Sequence, residues 1–137
     1  MQYWLLKSEP SSYSWDQLVK DGRTHWSGVR NFQAAANLKT MKKGDRAFFY
    51  HSGEGKEIVG IIEIVKEAYP DPSDKEGHFV MVDVQSLQPV KTPVTLAAIK
   101  AEKQLADMKL VRQSRLSVVP VSAEEWRIIC KMAGVKA

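Results

Sequence analysis

Read only for hydrophobic and polar positions, the chain switches between strand and helix patterns several times. Gln2–Lys7 (QYWLLK) is a short apolar and aromatic run and predicts a first strand. A turn-rich break follows around Pro10. Ser14 and Gln17 then match a capping box, and Trp15, Leu18 and Val19 have helical spacing up to the stop at Asp21-Gly22. Asn31 is placed to cap a second helix over FQAAANLKTM, whose alanines favour it. After a tight turn at Gly44-Asp45, RAFFYHS reads as a strand. EIVGIIEIVKEAY reads as a longer one, with Gly60 as a bulge. Pro70 and Pro72 mark a loop. HFVMVDVQSL is apolar on both alternating faces, which predicts a central strand. Pro89 and Pro93 bracket the next break. Thr95 caps LAAIK, and KQLADMKL adds a further helical turn or two. RQSRLSVVPV turns from helix into strand. Ser122 and Glu125 form a second capping box for AEEWRIICKMA, which Gly134 ends. The pattern predicts an α+β domain in which about five strands, with short helices around them, form a curled sheet or small open barrel.

A length of 137 residues sets this up as one domain, spanning 1–137, with no linker and no internal repeat. A lone cysteine, Cys130, excludes an intramolecular disulfide and points to a reducing, cytoplasmic setting. The first residues turn polar too soon for a signal peptide, and no apolar run approaches the roughly 20 residues that cross a bilayer. The net charge is only +4, but it is unevenly spread. Lys20–Tyr50 holds seven basic residues against two acidic, Lys100–Arg115 five against two, and Glu57–Asp83 two against seven. Two basic segments meeting in space would make one positive face opposite a negative one.

The chemistry-bearing residues exclude several classes. No G-x-S-x-G elbow is present, and His51 and Ser52 are strand neighbours whose side chains point to opposite faces. His25, His51, His78 and Cys130 lack metal-ligand spacing. Gly53–Lys56 is a hairpin turn and not a phosphate loop. Asp71, Asp74 and Glu76 do not match a calcium loop and read as a solvated turn. Trp4, Phe48, Phe49 and Trp126 fall at core positions. Trp26, in a segment read as irregular, either caps a core edge or walls a pocket. Tyr50 is either core or a wall.

Several motifs together resemble one family. YWLLKSEPSSYSWDQL, HWSGVRNFQAAANLKTMKKGD, FFYHS, GIIEIVKEAYPDPS and the stretch from PVTLAAIK to SAEEW occur in the order of the EVE domain, from Gln2 to about Ile129, with little inserted. The resemblance implies a PUA-like fold, a mixed five- to six-stranded pseudo-barrel with short peripheral helices, shared with the PUA, ASCH and YTH modules. It also implies a non-catalytic reader that takes a modified nucleobase, favouring cytosine derivatives, from DNA or RNA, with no cofactor and no metal.

The motif positions carried over are Lys7, Ser8, Glu9 and Pro10; Trp26, Gly28, Val29, Arg30 and Asn31; Tyr50, His51 and Ser52; and Arg112, Gln113, Ser114, Arg115, Leu116 and Ser117. Ala35 and Ala36 stand where many members have arginine and asparagine, so any contact made by those side chains is absent here. The chemistry agrees with this implication. Trp26 and Tyr50 offer flat walls. Ser8, Asn31, Ser52, Ser117 and His51 offer groups for a base edge, and Arg30, Arg112 and Arg115 suit phosphates. Each has a structural alternative: Glu9 pairing with Arg30, Arg115 tying the last strand, Asn31 acting only as a cap. The competing class is an enzyme on a nucleoside or nucleobase, with Glu9 or His51 as its acid or base. A protein-interaction module would need an exposed apolar patch, and the sequence shows no clear one.

Overall fold

The capping signals become helix starts. In the computed structural model, which describes residues 1–137, Ser14 Oγ accepts the Gln17 N–H (3.1 Å) at the head of α1, Trp15–Asp21. Asn31 Oδ1 accepts the Ala34 N–H (2.9 Å) for α2, Phe32–Thr40. Thr95 caps α3, Leu96–Ala101, and a short α4 follows at Lys109–Arg112. Ser122 and Glu125 exchange both capping-box bonds at α5, Ala123–Ala133, and left-handed Gly134 ends it.

Six strands make one mixed sheet: β1 (Tyr3–Ser8), β2 (Arg23–Trp26), β3 (Arg46–His51), β4 (Glu57–Pro70), β5 (Val80–Thr95) and β6 (Val118–Val121), in the order β2-β5-β4-β3-β1-β6. Only β1–β3 is parallel. The edge strands β2 and β6 do not pair, so the sheet curls without closing. The degree of curl shows in one contact. Trp26 on β2 meets Phe49 on β3 edge-on, with ring centroids 5.6 Å apart, although β5 and β4 lie between their strands. A bulge at Gly60, where the β3–β4 and β4–β5 registers both shift, supports the bend.

Two expectations change here. Arg23–Trp26 is a strand and not an irregular segment, because it pairs residue for residue with Gln85–Val82 of β5. In addition, β5 runs through Pro89 and Pro93 instead of breaking there. The reason is positional. β2 covers β5 only from Val82 to Gln85, so at Pro89 β5 has an open edge, and Pro93 falls in the bulged stretch 90–93 that has no partner in β4; at neither place does a missing N–H forfeit a ladder bond.

The core forms on both sides of this sheet. Trp126 of α5 is sandwiched between Tyr3 (4.5 Å) and Phe48 (4.0 Å). On the other side Trp15 of α1 lies directly on Gly60 and edge-on to Phe49. A Cβ at position 60 would sit 2.4 Å from the Trp15 ring, so the indole needs glycine beneath it. Gly60→Ala is therefore expected to destabilise by roughly 2 kcal/mol and lower Tm by about 5–10 °C. Trp15→Leu in the same chain should recover part of that loss, so thermal melts of the single and double variants should be non-additive.

Candidate nucleobase pocket

A hollow of about 510 Å³ opens where the end of β1, the loop before α1, strand β2 and the β2–α2 loop converge. Its lining includes Lys7, Ser8, Ser12, Tyr13, the whole run Thr24–Asn31, and Ser117. Trp26 forms its aromatic wall and is itself braced by Phe49. Both readings of Trp26 hold together: it is 8% exposed, belongs to the core, and faces the hollow. Asn31 also does two jobs. Its Oδ1 caps α2, while its Nδ2 makes no hydrogen bond within the protein and remains a donor at the hollow. Ser8 Oγ donates to the Tyr13 carbonyl (2.6 Å), so only its acceptor side is open. Lys7 Nζ donates to the Ser114 carbonyl (2.9 Å), tying the last motif to β1, and burial lowers its pKa.

A second hollow, of about 320 Å³, adjoins the first at Asn31. It is lined by Asn31, Gln33 and Arg112–Leu116. Gln33 Nε2 donates to Gln113 Oε1 (2.7 Å), so the two basic segments do meet in space. Arg112 pairs with Asp107 (2.7 Å), while Arg115 is exposed and has no acidic partner. Of the carried-over residues, then, Lys7, Ser8, Trp26, Gly28, Val29, Arg30, Asn31 and Ser117 share the first hollow. Arg112, Gln113, Ser114, Arg115 and Leu116 line the second, together with Asn31.

Tyr50, His51 and Ser52 line neither hollow. Strand alternation puts Tyr50 on the opposite face of β3 from Phe49, the residue Trp26 packs on, so Trp26 and Tyr50 do not form facing walls. Tyr50 is buried, with Lys7 Nζ 5.8 Å from its ring centre, and burial raises its pKa. His51 Nε2 accepts the Trp15 backbone N–H (3.1 Å), so it is neutral at that nitrogen and fixes the start of α1. Burial lowers its pKa, against the opposing charges of Glu57 and Asp16. The Ser52 N–H donates to the Ser8 carbonyl (3.0 Å). This motif thus holds together the ends of β1 and β3 and the start of α1, from which Ser8, Ser12 and Tyr13 reach the hollow. Ala35 is buried in α2 and Ala36 exposed, and neither lines a hollow.

Two carboxylates that the sequence did not assign to the site organise it. Asp71 is not part of a solvated turn: its side chain is fully buried. Its Oδ2 accepts the Gly28 N–H (2.8 Å) and Arg30 Nη1 (3.3 Å), and its Oδ1 accepts the Ser73 N–H (2.8 Å) and hydroxyl (2.6 Å). Arg30 therefore pairs with Asp71 and not with Glu9, and Gly28 adopts φ +81° in reaching it. Burial pushes the Asp71 pKa up, but the bonds from Ser73, Gly28 and Arg30 outweigh it and hold the pKa down at about 2. Asp83, also buried, accepts from Arg23 (3.2 Å) and Tyr69 and pairs with His25 Nδ1 (2.9 Å) behind β2. These bonds likewise overcome burial and lower its pKa, while burial and the Asp83 bond push Tyr69 up to about 12. Ser12, Tyr13, Thr24, His25 and Ser27 were missing from the sequence-derived set. Their signal was only adjacency to the K-S-E-P and W-x-G-V-R-N motifs.

Because the folded Asp71 binds its proton less tightly than an unfolded aspartate, its contribution is complete above the ordinary carboxylate pKa of 3.8. It disappears as pH falls through about 2. That contribution is roughly 2 kcal/mol. Asp71→Asn is expected to lose about this much stability at neutral pH and little more on acidification. The unfolding free energy of the unsubstituted protein should fall toward that of the variant between pH 5 and pH 2. Parallel urea titrations across that range check it, and curves that keep a constant separation would overturn it.

The family comparisons agree with this geometry. The EVE domain profile matches residues 2–132. Thymocyte nuclear protein 1 of Homo sapiens is 37% identical over 164 aligned residues, covering 95% of this chain and 73% of that protein. Since this chain has 137 residues, the human protein carries inserted segments where the sequence predicted few. The crystal structure of human THYN1 protein in complex with 5-methylcytosine containing DNA matches with a TM-score of 0.86 at 34% identity, over 100% of both chains. The NMR structure of Rpa0253 from Rhodopseudomonas palustris matches with a TM-score of 0.93 at 61% identity, over 98% of this chain and 94% of that one. A YTH domain from Zygosaccharomyces rouxii shares the fold alone, with a TM-score of 0.63 at 19% identity over 99% and 87%. The chain belongs to the EVE domain family and has its PUA-like fold.

Proposed function

We propose that this protein is a reader: it binds nucleic acid by taking one modified nucleobase, a modified cytosine, into the hollow walled by Trp26. The observation that carries this reading is the pairing of that braced indole with an uncommitted amide donor, Asn31 Nδ2, in a hollow of about 510 Å³. The volume lies in the usual range for small-ligand pockets, and a flat wall with few polar groups is what holding an extruded base requires. An amide N–H suits a ring carbonyl or ring nitrogen on the base edge. The human relative solved with 5-methylcytosine DNA supports the same ligand class here. Arg115, exposed in the neighbouring hollow, is assigned to a flanking phosphate.

The reading treats residues 1–137 as one binding module that works without cofactor or metal in the cytoplasm. The lone cysteine is consistent with that setting: it is buried, and burial pushes its thiol pKa to about 11. No helix is long and apolar enough to cross a membrane. Binding without turnover is part of the proposal. Glu9 and His51, the acid–base candidates of the enzyme reading, are absent from the lining, and His51 Nε2 is committed to the Trp15 N–H.

The test is titration with short DNA and RNA carrying one 5-methylcytosine, against the same strands unmodified, at one salt concentration. At least a tenfold preference is expected for the modified strand. Uniform, salt-sensitive binding would reduce the protein to a basic surface. Asn31→Ser keeps an α2 cap and removes the amide donor. It should weaken binding of the modified strand about tenfold, the effect of one lost base contact of roughly 1–3 kcal/mol, and leave Tm unchanged. Mass spectrometry of the recovered oligonucleotide should find the base intact after prolonged incubation.

A further inference from the structure

We propose that Phe32, backed by Phe79, is a stacking platform for the nucleobase next in sequence to the one held in the pocket. This inference rests on the reader assignment and extends it to a second subsite. Phe32 is 71% exposed, although it opens a helix whose buried residues are Ala34, Ala35 and Leu38. The fold does not use it: Phe32 is outside the core cluster, and nothing in α2 requires an aromatic there. It is nonetheless held in place. Its ring centre lies 4.9 Å from that of Phe79 at a tilt of 31°, and the Arg30 guanidinium lies 5.5 Å from the Phe79 centre. Arg30 is in turn fixed by Asp71 and by Ser73 (2.9 Å). The result is an ordered row of guanidinium and two aromatic rings, of which Arg30 lines the hollow, with a large phenyl surface open to solvent.

Position selects the occupant. Phe32 follows Asn31, which lines both hollows, and consecutive Cα atoms are only about 3.8 Å apart. The nucleotide next to a captured one is joined to it through a single phosphate, so its base stays beside the pocket, where the Phe32 ring is exposed. Single-strand binders hold neighbouring bases on aromatic rings, and proteins that bend DNA insert apolar side chains where base steps unstack. The patch is two rings flanked by a cation, which fits a flat aromatic ligand attached to phosphate better than the broad apolar face of a protein partner.

The experiment is a cycle in both molecules. An 11-nucleotide DNA with one central 5-methylcytosine is titrated, as single strand and as duplex, with the unsubstituted protein, Phe32→Ala and Phe32→Trp. The titrations are repeated with DNA carrying an abasic site immediately 5′ or immediately 3′ of the modified base. Phe32→Ala should keep its Tm, bind the intact DNA about tenfold more weakly, and lose no further affinity when the neighbouring base on one side is removed. Phe32→Trp should bind at least as tightly as the unsubstituted protein. If Phe32→Ala binds as well as the parent while the parent still prefers the modified strand, the platform falls and the reader assignment stands. Losses from Phe32→Ala and from either abasic site that simply add also overturn the platform. A Phe32→Ala effect on sedimentation but not on DNA binding would make the patch a protein contact instead. A parent with no preference for 5-methylcytosine removes the reader assignment, and the platform with it.

Discussion

The site depends on one buried carboxylate. Asp71 lies in the β4–β5 connection, yet through the Gly28 N–H and the Arg30 guanidinium it sets the path of the β2–α2 loop. An ionised carboxylate in that position would be costly without partners, and four hydrogen bonds from Gly28, Arg30 and Ser73 compensate it. Trp26 is anchored on one side of Gly28 by strand pairing and by Phe49. Asn31 is anchored on the other side by its helix cap. With Gly28 and Arg30 held between them, the indole and the amide keep a fixed separation, which selection by shape and one donor requires.

The family's motifs divide between lining the site and supporting it. Trp26, Arg30 and Asn31 face the hollow directly. Tyr50, His51 and Ser52 support it: His51 takes the Trp15 N–H, and Ser52 bonds to Ser8. That role explains a histidine on a strand without invoking proton transfer. A neutral Nε2 aligned with the first N–H of α1 is an acceptor that local chain geometry does not otherwise provide. Trp15, fixed there, packs on Gly60, and the bend at Gly60 helps bring β2 around to β3. The pocket wall and the support therefore share one structural cause, the curl of the sheet.

What the sequence revealed was mostly local. Ser14, Asn31, Thr95 and Ser122 bond three residues ahead, so residue type and spacing were enough to place four helix starts. β2 was not legible, because four residues, Arg23–Trp26, carry no alternation of their own and become a strand only by pairing with β5. The prolines of β5 misled for the same reason: their effect depends on which neighbour strand is present. Asp71 was hidden by distance, its partners Gly28 and Arg30 lying 43 and 41 positions away. Its setting among Pro70, Pro72 and Asp74 is that of an exposed turn. Tyr50, read as either core or a pocket wall, is core and lines neither hollow, because residue type says nothing about the side of a sheet. The alternation that places Phe49 under Trp26 turns Tyr50 away.

Charge shows the same dependence on fold. The uneven distribution along the chain suggested a positive face opposite a negative one. The two basic segments do meet, at Gln33 and Gln113, but the acidic segment sends two of its carboxylates inward, where Asp71 takes Arg30 and Asp83 takes Arg23 and His25. These acids cross-link β2 and the loop after it to β5 and the β4–β5 connection, and they neutralise cations that a linear count would assign to the surface. Arg30 is consequently a positioning residue, held rigid against Phe79, while Arg115 keeps an exposed charge with no acidic partner at the second hollow. A ligand meeting this surface finds more than the diffuse positive field of unpaired lysines and arginines. It finds a fixed cation beside a fixed aromatic row, and beyond them a pocket. Discrimination on such a surface comes from fit around one base, because the charges that attract the backbone do so without regard to sequence.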